Sequence, residues 1–97
     1  MPAYLVVNFE KIKDQDKLKE YSEKVSPYTA KYGGSLLAAS PEPMVLEGNL
    51  NSIRTLIIEF PDLASLNQWY ESPDYQPLKE LRQAGVDATL SIVESAG

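Results

Sequence analysis

Four strand-like runs and two helix-like stripes, in the order strand, helix, strand, strand, helix, strand, predict an α+β fold. The expected arrangement is the ferredoxin-like βαββαβ pattern, a four-stranded antiparallel sheet with the helices on one face. Three observations carry it: short β-branched and aromatic runs, apolar residues at helical spacing between them, and turn residues at each junction. No repeat, linker or low-complexity segment interrupts the order, so residues 1–97 are expected to form one domain. The same elements in another α+β arrangement are the alternative.

The first strand is residues 4–9, Tyr-Leu-Val-Val-Asn-Phe. Asp14 or Asp16 then caps a helix, because a carboxylate there accepts free backbone N–H groups. Leu18, Tyr21, Val25, Tyr28 and Tyr32 form its apolar stripe, and Lys17, Lys19, Glu20, Glu23 and Lys24 its solvated face. Pro27 lacks an N–H, so Ser26-Pro27 predicts a kink or a restart near residue 26. Gly33-Gly34 ends the helix. Residues 35–39 read as a second strand stopped by Pro41, with 44–47 as a short extension. Residues 53–60 are the clearest strand, closed by Pro61. Asp62 caps a helix bearing Leu63, Leu66, Trp69 and Tyr70. Ser72-Pro73 is a second start, with the helix proper from about residue 77 so that Pro77 lies in its first turn. Gly85 closes it, and residues 88–94 alternate as the last strand.

Composition removes several functions. There is no Cys and no His, so disulfides, thiolate nucleophiles, imidazole bases and His-held metals are absent. Nine Lys+Arg against 14 Asp+Glu leave a net charge of −5, with only two Arg, which argues against nucleic acid. No apolar run approaches the ~20 residues that span a bilayer. No basic segment leads into an apolar stretch at Met1-Pro2-Ala3-Tyr4, so no membrane role is expected and the cytoplasm is the expected compartment. Asp14-Gln15-Asp16 lacks the Gly and distal Glu of a calcium loop, and no metal site is read. Gly33-Gly34 ends a helix rather than opening one, so it is no phosphate loop.

Alternation splits the strands into two faces. Leu5, Ile58, Phe60, Leu90 and Ile92 are assigned to the helices. The other side carries Tyr4, Val6, Asn8, Thr55, Ile57, Glu59, Thr89, Ser91 and Val93, too apolar for water alone. A homodimer closing sheet on sheet is expected. The alternative is a monomer shielded by the 41–52 loop and the C-terminus.

Ile58-Glu59-Phe60-Pro61, Trp69-Tyr70-Glu71-Ser72-Pro73-Asp74-Tyr75-Gln76 and Leu81-Arg82, with Pro2-Ala3-Tyr4, Gly33-Gly34 and Glu47-Gly48, resemble the small bacterial proteins grouped as domain of unknown function 1330. The resemblance covers residues 2–94. It implies a branch of the dimeric α+β barrel superfamily: a ferredoxin-like protomer, dimerising through its sheet, with a cavity between sheet and helices. That superfamily includes cofactor-free monooxygenases of polyketide quinones, muconolactone isomerase-like enzymes and haem-dependent chlorite dismutases; the family itself has no settled activity. Members commonly carry His where this chain has Tyr32, Arg where it has Ser35, and Arg-Gly-Gly where it has Ala39-Ser40-Pro41. Haem chemistry resting on an axial His is thereby excluded, and no cofactor is called for.

Six residues are candidates. Glu59 is the catalytic one: alternation puts it toward the dimer-facing side or the cavity, where an apolar setting would tune a carboxylate as a base. Its alternative is a structural pairing with Arg54, Arg82 or a backbone donor. Asn8 would orient a ligand carbonyl or make a cross-strand hydrogen bond. Trp69 and Tyr75 would bind a flat ligand or fill the core. Arg82 would clamp a carboxylate or enolate, or pair with an acidic neighbour. Tyr32 would donate its hydroxyl or end the helix stripe. The reading is a homodimer binding a small organic molecule, with catalysis left open. A cofactor-independent isomerase or monooxygenase is one form of it; a non-catalytic or stress-associated module is the other.

Overall fold

A computed structural model describes residues 1–97. The elements are β1 (Ala3–Ile12), α1 (Gln15–Lys31), β2 (Ser35–Pro41), β3 (Arg54–Phe60), α2 (Leu63–Glu71), α3 (Tyr75–Gly85) and β4 (Val86–Glu94). The strands form one antiparallel sheet in the order β2-β3-β1-β4, the ferredoxin-like topology. The second helical stretch is two helices, α2 and α3. No helix is long and apolar enough to cross a membrane.

β1 sets the layers. Ala3, Leu5, Val7 and Phe9 are buried, while Tyr4, Val6 and Asn8 between them are half-buried on the other face. This is the period of two that a half-covered strand shows. Leu5 stands opposite Ile58 and Ile92, and Val7 opposite Leu56 and Leu90. Ile58, Leu56 and Leu90 pack on the core under the helices. The fully buried Phe60, Leu66, Trp69 and Tyr75 join them in the core. Ile92, assigned to the helices from alternation, is instead 43% exposed at the edge strand. The Cα trace extends only 16 Å along its shortest axis, two layers deep, and one sheet face has no helix over it.

The caps follow the sequence closely. Asp14 Oδ1 accepts from the backbone N–H groups of Asp16 and Lys17, both at 3.1 Å. Asp62 Oδ1 accepts from Ser65 N–H at 2.7 Å, a bond that holds its carboxyl below the usual range. α1 ends where Gly33 takes φ 82°, a conformation that costs other residues.

Four expectations need correction. α1 runs through Pro27 without a break. Pro27 and Glu23, whose carbonyl it leaves free, are both exposed, so water can take that carbonyl. α3 starts at Tyr75, not residue 77, and Pro77 still falls in its first turn. Residues 44–47 are not a strand, and Met44 and Leu46 stand 87% and 88% exposed. Alternation groups Leu36 with Ala38, but a register shift between them places Leu36 against Ile58 on the helix face and Ala38 against Ile57 on the open one.

Candidate functional site

α1 lies against α3 and keeps its backbone away from the strands. The reason is Gly85. A Cβ there would sit 2.9 Å from Leu18 N and 3.3 Å from Asp14 O, so only glycine lets the two helices approach so closely. The Gly85 carbonyl also accepts from Lys13 N–H at 2.8 Å and Asp14 N–H at 3.0 Å. With α1 fixed on α3, a cavity of about 350 Å³ remains between α1 and the sheet. Leu5, Val7, Phe9, Leu56, Ile58 and Leu90 form its floor, and Leu18, Tyr21, Val25 and Thr29 its roof. Trp69 and Arg82 close it from α2 and α3. Ser22, Ser26 and Leu36, all exposed, mark its mouth between α1 and β2.

Behind the wall is an aromatic and hydroxyl cluster. The Trp69 and Tyr75 rings have centroids 4.4 Å apart, and Tyr28 stacks on Tyr75 at 5.9 Å. Trp69 Nε1 donates to Thr29 Oγ1 at 3.0 Å, and Tyr28 OH donates to the Trp69 carbonyl at 2.8 Å. The Tyr21 and Tyr75 hydroxyls are hydrogen-bonded at 2.8 Å. Arg82 Nη1 donates to the Tyr75 hydroxyl at 3.3 Å. Burial pushes both phenols above their ordinary range, and for Tyr75 the neighbouring Tyr21 pushes further the same way. They are therefore neutral hydroxyls at ordinary pH.

Arg82 is only 6% exposed and has no carboxylate partner. The ion pairs of the protein are Lys13–Asp87 at 3.2 Å and Lys24–Glu20 at 2.8 Å.

The sequence candidates separate into three groups. Trp69 and Arg82 line the cavity, and Tyr75 stands directly behind it, bonded to two lining residues. Glu59 and Asn8 do not line it. Of the two settings read for Glu59, the register selects the open face: it stands between Tyr4 and Ser35 and pairs with neither Arg54 nor Arg82. Partial burial, and then the Glu59 carboxylate, raise the Tyr4 phenol. Asn8 makes the cross-strand bond, accepting from Thr55 Oγ1 at 2.7 Å, with Ser52 Oγ 3.1 Å further on. Tyr32 is the C-cap of α1, its ring 5.2 Å from that of Tyr28, and does not line the cavity. Among the lining residues that sequence reasoning did not select are Tyr21, Thr29 and Arg54. Tyr21 was visible as the polar-tipped member of the α1 stripe, and Arg54 as one of only two guanidinium groups.

The model of the family described as Domain of unknown function (DUF1330) matches residues 2–96. No curated protein matches the chain. Among solved structures it is similar to RPA0582, a protein of unknown function from Rhodopseudomonas palustris: TM-score 0.81 and 17% identity, over 99% of this chain and 83% of that one. It is also similar to a dimeric ferredoxin-like protein of unknown function from Jannaschia sp. CCS1: TM-score 0.76 and 14% identity, over 98% of this chain and all of that one. A third similar structure is SnoaB, a cofactor-independent oxygenase from Streptomyces nogalater: TM-score 0.70 and 10% identity, over 99% and 94% of the two chains. At these identities the likeness is one of fold.

Proposed function

The chain belongs to the Domain of unknown function (DUF1330) family, and from that premise we propose that it is a homodimer whose protomers, one domain each, bind a small organic molecule between sheet and helices. The observation that carries the reading is the cavity itself. About 350 Å³ lies within the range of small-molecule sites. Its wall is mostly apolar, with a few polar residues, Tyr21, Thr29 and Arg82 among them, the composition of a small-molecule site.

The dimer is supported by the open face, where Val6, Ile57 and Val93 share one side with Tyr4 and no helix covers them. The Jannaschia structure of the same fold is described as dimeric. We also place the dimer in the cytoplasm.

As an enzyme it would work without a cofactor, by isomerisation or by oxygenation of an electron-rich substrate, the latter class being that of SnoaB. Arg82 and the Tyr21 hydroxyl would then stabilise an enolate. One observation favours the second reading, a non-catalytic binding module: no Asp or Glu lines the cavity, so no carboxylate base stands beside the ligand.

Native mass spectrometry of the purified protein tests the proposal. The expected species is twice the 10.8 kDa protomer with a small molecule retained, and Val25→Phe, which narrows the cavity, loses that molecule while keeping the dimer. A monomer mass ends the dimer reading. Retention of the molecule by Val25→Phe ends the cavity reading.

A further inference from the structure

Resting on the cavity-binding reading above, we propose that the ligand is an apolar monocarboxylic acid bound as its anion, with its carboxylate on the Arg82 guanidinium.

The distribution of charge points there first. The chain has 14 acidic residues and two arginines. Both arginines line this cavity, and none of the acids does. Arg54 stands opposite Phe9, near the end of β1. Arg82 lies one helical turn before Val86, whose partner on β1 is Ile12. The two cations therefore belong to one end of the sheet. In a chain of net charge −5, the wall of the cavity carries positive charge alone.

Arg82 itself carries the inference further. Removing a guanidinium from water is costly unless an anion and hydrogen bonds replace the lost hydration. Here one neutral hydroxyl, that of Tyr75, is its hydrogen-bond partner. No side-chain nitrogen in the protein is both sealed from solvent and unpartnered, so the remaining Arg82 donors keep their small accessible surface. Arg82 lines both the cavity and an outer groove that holds Glu10 and Asp87 together with Lys11 and Lys13. Neither acid forms an ion pair with Arg82, and Asp87 is engaged by Lys13. The fold thus buries a cation and leaves its counter-charge to be brought in. A planar carboxylate is the partner whose two oxygens match the fork of a guanidinium.

The rest of the cavity defines the rest of the molecule. Leu5, Val7, Val25, Leu56 and Leu90 offer contact to an apolar body and nothing to a second charged group. Arg54 is exposed at the rim, where it favours entry of an anion without holding one. Phosphorylated ligands fit poorly, since their dianion would face a single buried cation.

Trp69, the one tryptophan, lines the cavity and supplies the signal. The full-length protein is titrated with phenylacetate and with phenylacetamide, which has the same shape and no charge, following Trp69 fluorescence. The expected result is that the acid binds roughly tenfold or more tightly than the amide. Arg82→Gln removes that difference between acid and amide. Arg82→Lys keeps the charge but loses the fork, and retains part of the preference; it serves if Arg82→Gln fails to fold. A role for Arg82 limited to holding Tyr75 predicts no change in preference in either variant, and that result overturns the proposal. Equal binding of acid and amide by the native protein also overturns it while leaving the cavity reading intact. No response to either probe removes both.

Discussion

On the open face of the sheet, polar side chains are answered by their neighbours across the strands. Asn8 takes the Thr55 hydroxyl, and Tyr4 stands opposite Glu59. On the helix face the polar groups are fewer and deeper, and Arg82 is left with a hydroxyl where an anion belongs. One face has its polar groups paired across the strands or open to water, and its apolar groups uncovered. The other has its apolar groups covered and a charge unanswered. The contrast matches the two occupants proposed above: a second protomer for the open face, a small molecule for the covered one. It also shows that polar character in the sequence is a poor guide to a site. Satisfied polar groups look the same on paper as unsatisfied ones, and only the latter ask for a ligand.

The contrast can be broken most strongly from the covered side. Trp69→Ala removes a side chain only 1% exposed and is expected to cost about 3–5 kcal/mol, read as a lower urea midpoint at unchanged slope. From the open side, Val93→Asp places a charge at a residue that is 48% exposed in the protomer and buried in the proposed dimer. The dimer dissociation constant should rise about a hundredfold or more, read by light scattering, with the protomer's circular dichroism unchanged. Gly85→Ala forces α1 off α3 and is expected to cost about 1–3 kcal/mol in chemical denaturation, because its new Cβ meets backbone rather than a movable side chain.

A pH series with and without Tyr75 reads the covered face. Folding raises the Tyr75 and Tyr21 pKa values above 10.0, so the folded state holds those protons where the unfolded chain releases them. Their contribution is complete below pH 10 and is lost as pH climbs from there through the folded values. The decline should be about 1.4 kcal/mol per pH unit for each phenol, and Tyr75→Phe should flatten it. The smallest effect is the sharpest comparison: Glu59→Gln should leave phenylacetate affinity unchanged within about twofold, since its carboxylate lies on the far side of the sheet. A larger loss would tie the two faces together.

Much of the fold was legible because local chemistry decides it. Asp14, Asp62, Gly33 and the alternation along β1 each act over a few residues, and each behaves as read. Pro27 misled because its cost depends on which side of the helix it faces. Residues 44–47 have strand-like composition but no neighbour to pair with. The β2 register shift depends on β3, some twenty residues away. The site was less legible for the same reason. Arg82 was a candidate from its residue type alone. That it is unpaired depends on where the fold puts Glu10 and Asp87, which share its outer groove without forming an ion pair with it. Glu59 attracted notice as a carboxylate in an apolar strand, and a period of two fixed its face without saying which face held the cavity. The cavity follows from α1 resting on α3, and Gly85 read only as a helix end in the sequence.

The register shift in β2 has a consequence for the protein's behaviour at high concentration. β2 is an edge strand, exposed throughout, with Leu36 and Leu37 side by side. A straight strand of that composition would be a template for further strands from other molecules, and sheets would grow without limit. The irregularity between Leu36 and Ala38 breaks the even spacing that such growth needs, and Pro41 offers no N–H at the strand's end. The same distortion that turns Leu36 toward the mouth of the cavity also guards the edge against aggregation.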